Sequence, residues 1–246
     1  MTDVNVSVPP ALRRALDLLI DPPANPDVGK GYLDLLGSSE DAGVAKNTGA
    51  IQAAWASGLG SMLYDNAQAL ARRFVGAWQL PIEWLNIPSG GVALDVGSGP
   101  GNVTASLARA AGPDGLALGV DISEPMLARA VSAQAGLNVG FMRADAQQLP
   151  FRDETVDAVT SLAVLQLIPD PAATLAEMVR VLRPGGRIAI MVPTAARGSE
   201  LLRWLPNGGV RFFDEDELGD TFEELGLVSV RVKTVGNIQW VRGRRP

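Results

Sequence analysis

The sequence predicts an α/β protein with an open, mainly parallel sheet from about residue 90 onward and a helical segment ahead of it. Three observations predict this. Val92 to Val96 is apolar except for Asp95, the pattern of a strand buried on both faces. It runs into Gly97-Ser98-Gly99-Pro100-Gly101, and helical residues follow from Val103, a strand–turn–helix junction. From Gly90 onward strand-like and helix-like segments alternate, whereas residues 1–88 show no such texture. The expected division is a helical cap or substrate lid over 1–88 and a sheet core over 89–246.

Within the cap, Leu12, Leu16, Leu19 and Ile20 form a helical stripe over Pro9 to Ile20. Asp21-Pro22-Pro23 and Asn25-Pro26 end it. Tyr32 to Leu36 is a short apolar piece, Gly37 to Gly49 reads as a loop, and a long helix is expected from about Ala50 to Trp78. Pro81 and Pro88 bracket the approach to the core.

In the core, strand Val92–Val96 leads to helix Val103–Ala111, and Gly112-Pro113-Asp114-Gly115 turns the chain into strand Leu116–Asp121. Helix Glu124–Ala135 has Ser123 at its N-cap and Pro125 in its first turn. Strands follow at Val139–Arg143 and Asp157–Leu162, then helix Pro171–Leu182, stopped by Arg183-Pro184-Gly185-Gly186. Strand Arg187–Val192, a helix Asp214–Leu225 capped by Asp214, and strands Val228–Thr234 and Ile238–Val241 around Val235-Gly236-Asn237 complete the chain.

Composition narrows the chemistry. There is no histidine and no cysteine among 246 residues, so His-based triads, His-metal sites, disulfides and thiolate nucleophiles are excluded. No carboxylate cluster has metal-ligand spacing, so no metal is expected. A net charge of −6 argues against general binding to nucleic acid or anionic membranes. The basic stretch Arg242-Gly243-Arg244-Arg245 is too short to alter that and reads as a solvated end. Met1 to Pro10 lacks the features of an export signal, and no run reaches the roughly 18 apolar residues of a spanning helix. The expected location is the cytoplasm, as a monomer or homodimer.

In an open parallel sheet, ligands bind beyond the carboxyl ends of the strands. Four such ends carry small or polar residues. The first is the glycine loop, which lacks the third glycine of a dinucleotide fingerprint because Asn102 stands there. The second is Asp121, whose carboxylate can accept two hydrogen bonds from a ribose diol while Ile122 packs on an adenine face. Asp121 can equally be an acid favoured at the following helix N-terminus. The third is Asp145-Ala146, where the carboxylate can take the adenine amino group and the Ala146 amide can donate to the ring. Asp145 can equally form an Asx-turn. The fourth begins at Ser161, where the transferred group would sit nearby, and includes Gln166, a functional candidate or a surface loop amide.

Taken together, Asp95-x-Gly97-x-Gly99-x-Gly101, Val120-Asp121-Ile122-Ser123, Ala144-Asp145-Ala146-x-x-Leu149-Pro150-Phe151, Val156-Asp157-Ala158-Val159 and Val181-Leu182-Arg183-Pro184-Gly185-Gly186 resemble the successive motifs of class I S-adenosylmethionine (SAM)-dependent methyltransferases. The ubiquinone/menaquinone-biosynthesis-like branch, type 11, is the nearest in pattern. The motif match covers about residues 90–192. The resemblance implies a Rossmann-like, seven-stranded, mostly parallel sheet of order 3-2-1-4-5-7-6. It implies SAM as cofactor, S-adenosylhomocysteine as product, and a cofactor site of Asp95, Gly97, Ser98, Gly99, Gly101, Asp121, Ile122, Met126, Asp145, Ala146 and Ser161. Gly97 and Gly99 would face the methionine part, and Asp95 would shape the loop and orient the SAM amino group. Many relatives carry a His after the fourth strand; Val164-Leu165-Gln166-Leu167 stands here, so no role of that His carries over.

Substrate specificity in this family commonly sits in an N-terminal cap. Tyr64-Asp65 matches a Tyr-Asp pair that relatives often carry before the glycine loop, and Trp55, Met62, Trp78, Trp204 and Phe212-Phe213 are candidate pocket walls or simple packing residues. No catalytic residue is evident; Tyr64, Asp65 and Gln166 are the candidates, with Asp170 a further acid nearby. The reading is transfer of a methyl group from SAM to a small, hydrophobic acceptor by in-line displacement. A silent SAM-fold binding protein and an NAD(P)-dependent oxidoreductase are the alternatives.

Overall fold

The computed structural model of this chain describes residues 7–37, 82–194 and 211–246. The helix expected over 50–78 lies outside the described residues, as do Trp55, Met62, Tyr64, Asp65, Trp78 and Trp204. The strands are β1 (Leu33–Asp34), β2 (Val92–Val96), β3 (Leu116–Asp121), β4 (Val139–Arg143), β5 (Val156–Leu162), β6 (Leu182–Pro193), β7 (Val228–Val235) and β8 (Ile238–Arg244). The described helices are α1 (Pro10–Leu16), α2 (Ile82–Leu85), α3 (Asn102–Ala111), α4 (Glu124–Gln134), α5 (Pro171–Val181) and α6 (Glu217–Glu224).

The strands form one sheet in the order β1-β4-β3-β2-β5-β6-β8-β7. From β4 to β7 this is the implied 3-2-1-4-5-7-6 order, with β8 antiparallel to both neighbours. The eighth strand is a correction to the expected seven. Two residues of the N-terminal segment add to the edge, Leu33 opposite Met142 and Asp34 opposite Arg143. A two-residue strand carries no alternation to read; the open edge of β4 creates it.

Strand alternation divides the core between two faces. Leu94, Val96, Leu118, Val120, Val159 and Ile190 face Ala11, Leu12 and Ala15 of α1 and Leu175 and Met178 of α5. Ala93, Ala117, Phe141, Ala158 and Ala189 face Leu85, Leu107, Ala108, Leu127 and Ala130 on α2, α3 and α4. The small residues of the second face let helices approach closely.

Four boundaries differ from the sequence reading by more than one residue, each for a tertiary reason. α1 stops at Leu16 rather than Ile20, because Leu19 bridges to Phe151 and the Ile20 amide donates to the Pro150 carbonyl. α6 starts at Glu217 rather than Asp214: residues 211–213 are held extended by the Thr194–Phe213 bridge, and Asp214 N–H donates to Glu217 Oε2. Arg183-Pro184-Gly185-Gly186 lies inside β6, as an irregularity between the pairs Val156–Leu182 and Ala158–Arg187. The basic end is not a solvated tail. Arg242, Gly243 and Arg244 belong to β8, and Arg245 donates to the carbonyls of Val179, Arg180 and Leu182 and pairs with Glu154. Arg242 and Arg187 both lie over the ring of Trp84, at 5.0 and 5.3 Å from its centroid.

Candidate functional site

The carboxyl ends of β3, β2 and β5 meet at the glycine loop. Gly97, Gly99 and Gly101 all have positive φ, at 74°, 50° and 81°. At Gly97 the requirement is double, because a Cβ there would lie 2.2 Å from the Val164 side chain. The loop's amides are spent on the neighbouring strand end. Gly97 N–H and Ser98 N–H both donate to the Val120 carbonyl, at 2.8 and 3.0 Å, and Gly99 N–H donates to Asp121 Oδ2 at 2.8 Å. Ser98 itself turns inward, with its Oγ over Gly119.

Asp121 ends β3 beside this loop. Its second oxygen, Oδ1, accepts from Ser123 N–H at 2.8 Å. Each carboxylate oxygen therefore holds one amide at 2.8 Å, and the carboxylate keeps lone-pair capacity beyond these two bonds. Burial raises its pKa from the usual carboxylate range, against the amides of Ser123, Gly99 and Ile122. Asp121 caps the turn into α4, as an acid at a helix start does, and stands at the strand ends, where a diol could meet its carboxylate.

Asp95 lies deeper, at 2% exposure. Thr104 Oγ1 donates to its Oδ2 at 2.6 Å and Thr160 Oγ1 to its Oδ1 at 3.2 Å. Burial pushes its carboxyl up to about 6, with the two hydroxyls opposing. Asp95 thus ties β2 to α3 and β5 beneath the loop. The two threonines were not singled out in the sequence; Thr104 is nine residues on and Thr160 comes from another strand, so only the fold unites them.

Ile122 is half-buried after β3, and Met126 is buried in the first turn of α4. Asp145 follows β4 and accepts from Gln147 N–H at 2.9 Å and Gln147 Nε2 at 3.2 Å, the Asx-turn geometry. Ala146 packs on the core. Asp170 is a helix cap: it accepts from Ala173 N–H at 2.9 Å, and its own amide donates to Gln147 Oε1. Ser161 and Gln166 carry the opposite signal. Both are buried, at 1% and 7% exposure, and among the described residues neither Ser161 Oγ nor Gln166 Oε1 has a hydrogen-bond partner. Buried polar atoms normally find partners, so these two are suited to a ligand group at the end of β5. The sequence marked both positions, on location alone.

Among the described residues no group of three or more His, Cys, Asp or Glu side chains is placed to hold a metal ion. The set that remains fits a nucleoside cofactor. It combines a carboxylate with spare lone pairs for a diol, apolar side chains beside it, and unpartnered polar atoms at the adjoining strand end.

Comparison with known proteins bears on the same stretch. Residues 94–190 match a family model described as a methyltransferase domain. Demethylmenaquinone methyltransferase of Staphylococcus aureus is 34% identical over an alignment of 176 positions that covers 61% of this chain and 73% of that protein. A SAM-dependent methyltransferase of Thermotoga maritima shares the fold with a TM-score of 0.63 at 19% identity, over 80% of this chain and 100% of that one. A SAM-dependent methyltransferase of Aquifex aeolicus superposes with a TM-score of 0.55 at 25% identity, over 67% of this chain and 87% of that one.

Proposed function

The chain belongs to the class I SAM-dependent methyltransferases of the ubiquinone/menaquinone-biosynthesis type, and from that premise we propose that its acceptor is a quinol-like apolar ring. It is a SAM-dependent methyltransferase with a small hydrophobic acceptor. The relative from Staphylococcus aureus, named for demethylmenaquinone, supports the ring class. No helix among the described residues is long and apolar enough to cross a membrane. We place the protein in the cytoplasm, as a monomer or homodimer, with the boundary between N-terminal segment and core near residue 88.

SAM supplies a sulfonium-activated methyl group when bound. The residues that would hold it are Asp121 at the ribose, Ile122 and Met126 at the adenine, Asp145 and Ala146 at the ring edge, and the loop Gly97–Gly101 with Ser161 at the methionine end. The single observation behind this assignment is Asp121, each of whose oxygens takes one amide at 2.8 Å and whose carboxylate keeps lone-pair capacity beside the loop. Asp95 shapes the loop from beneath through Thr104 and Thr160. Gln166 has an amide that does not titrate; it can orient an acceptor hydroxyl through Oε1 but cannot take its proton. With no histidine in the chain, the residues act chiefly by aligning and desolvating the acceptor, a contribution of several kcal/mol, on the order of 7, when alignment is good.

Calorimetry with SAM, S-adenosylhomocysteine and NAD, followed by radiolabelled methyl transfer to reduced short-chain demethylquinones, tests this. Micromolar binding of SAM and its product and labelling of the quinol are expected. Binding of NAD alone would overturn the cofactor site, and binding of SAM without labelling of any quinol would overturn the acceptor class.

A further inference from the structure

An ionic cluster with a buried Arg143–Asp34 pair and an exposed Lys30–Glu124 rim stands directly behind the turn that joins β3 to α4. Arg143 closes β4 with its side chain 10% exposed. Its Nη1 donates to the Gly37 carbonyl at 2.7 Å, pairs with Asp34 Oδ2 at 3.2 Å and lies 3.4 Å from Glu124 Oε1. Its Nε donates to the Ile122 carbonyl at 3.4 Å. Glu124 Oε2 in turn accepts from Lys30 Nζ at 2.6 Å and Tyr32 Oη at 3.2 Å. Asp34 Oδ1 also accepts the amides of Leu36 and Gly37.

The N-terminal segment that supplies half of this cluster lies flush on α4. Gly31 has φ +83°, and a Cβ there would sit 2.6 Å from the Val131 side chain. Tyr32 is 1% exposed. The cluster is electrically balanced, with Arg143 and Lys30 against Asp34 and Glu124. A buried ion pair adds little net stability, because desolvation offsets the attraction. What it supplies is position: one guanidinium reaches both sides of a single turn, at the Ile122 carbonyl and at Glu124.

We propose that Arg143 is a positioning residue for the adenosine half of the cofactor site, with residues 30–37 as the strap that anchors it. Arg143 holds the Asp121-Ile122-Ser123 turn in the geometry that presents the Asp121 carboxylate and the Ile122 side chain. The inference rests on the assignment of those two residues to the adenosine part. Arg143 acts through that turn, as a positioning residue rather than a catalytic one.

The test is titration of S-adenosylhomocysteine into the full-length protein, with steady-state kinetics alongside. Arg143→Gln is expected to raise the dissociation constant about tenfold with binding stoichiometry near one, and Arg143→Lys to recover part of the loss, since it restores charge without the planar fork. Asp34→Asn, which leaves Arg143 its bonds to Gly37 and Glu124, is expected to weaken binding about threefold. KM for SAM should rise in the same proportions while kcat at saturating SAM is kept, a split that loss of folded protein would not produce. Affinity within about twofold of wild type in both Arg143→Gln and Asp34→Asn would overturn the proposal, as would reduced stoichiometry with unchanged affinity. If Arg143→Gln does not fold, Asp34→Asn decides alone. Failure of the wild type to bind SAM or its product would instead overturn the cofactor assignment on which the proposal stands.

Discussion

Asp95 and Asp121 are carboxylates on adjacent strands, and burial raises the pKa of both. For Asp95 the native state binds its proton more tightly than the unfolded chain, between about 4 and about 6. Its ionisation therefore opposes folding, and stability falls as pH rises through that window, by up to about 3 kcal/mol for a shift of roughly two units. Asp95→Asn removes the titration. Its stability relative to wild type is expected to increase with pH between 4.5 and 7, as read from urea midpoints at several pH values. A pH-independent difference would show that Asp95 does not titrate in that window. Part of the wild-type slope should survive in the variant, because Asp121 shifts in the same direction. Asp121→Ala is expected to weaken SAM binding at least about tenfold, near 1.4 kcal/mol, by calorimetry. Unchanged affinity would reject the ribose assignment.

At the scale of elements, the loop between β2 and α3 depends on a neighbour far away in the chain. Val164, just past β5, fills the space where a Gly97 side chain would stand. Gly97→Ala combines this clash with a positive φ and is expected to cost about 3 kcal/mol by urea unfolding. Adding Val164→Ala removes the two methyls but leaves the Val164 Cβ at 2.9 Å, so it should return part of the steric share and leave a loss above the roughly 1 kcal/mol of the backbone. Equal losses in the single and double variants would remove Val164 from the account. The same dependence shapes the C-terminal end. Arg245 caps the last carbonyls of α5 and the start of β6, so four residues that look like a charged tail close the edge between helix and sheet.

At the scale of the whole molecule, the described N-terminal residues are built into the core. Leu12 is 1% exposed and packs in the same cluster as Leu94, Leu118 and Val159, and Arg14 donates to the carbonyls of Asp114 and Gly115. Leu12→Ala should therefore cost about 2 to 4 kcal/mol and move the single main unfolding transition. An unmoved main transition would mean that α1 belongs to a separately unfolding unit. Through α1 and β1, the segment ahead of the glycine loop braces the sheet opposite α3 and reaches the back of the β3–α4 turn through Asp34 and Lys30.

Much of this protein was legible in the chain before folding. Strands β2, β3 and β4 stand where apolar runs ended in Val96, Asp121 and Arg143, and the order of motifs identified the family and its cofactor. These features are local: strand burial, turn glycines and helix starts are set by residues within a few positions of one another. Which partners each carboxylate takes was decided only by tertiary structure. Thr160 reaches Asp95 across 65 residues, Val164 meets Gly97, Arg143 meets Asp34 across 109 residues, and Arg245 caps a helix 65 residues earlier. β1 exists because β4 leaves an edge open. Contacts of that range have no period in sequence; the sheet order brings them together, and burial then determines what each polar group must find.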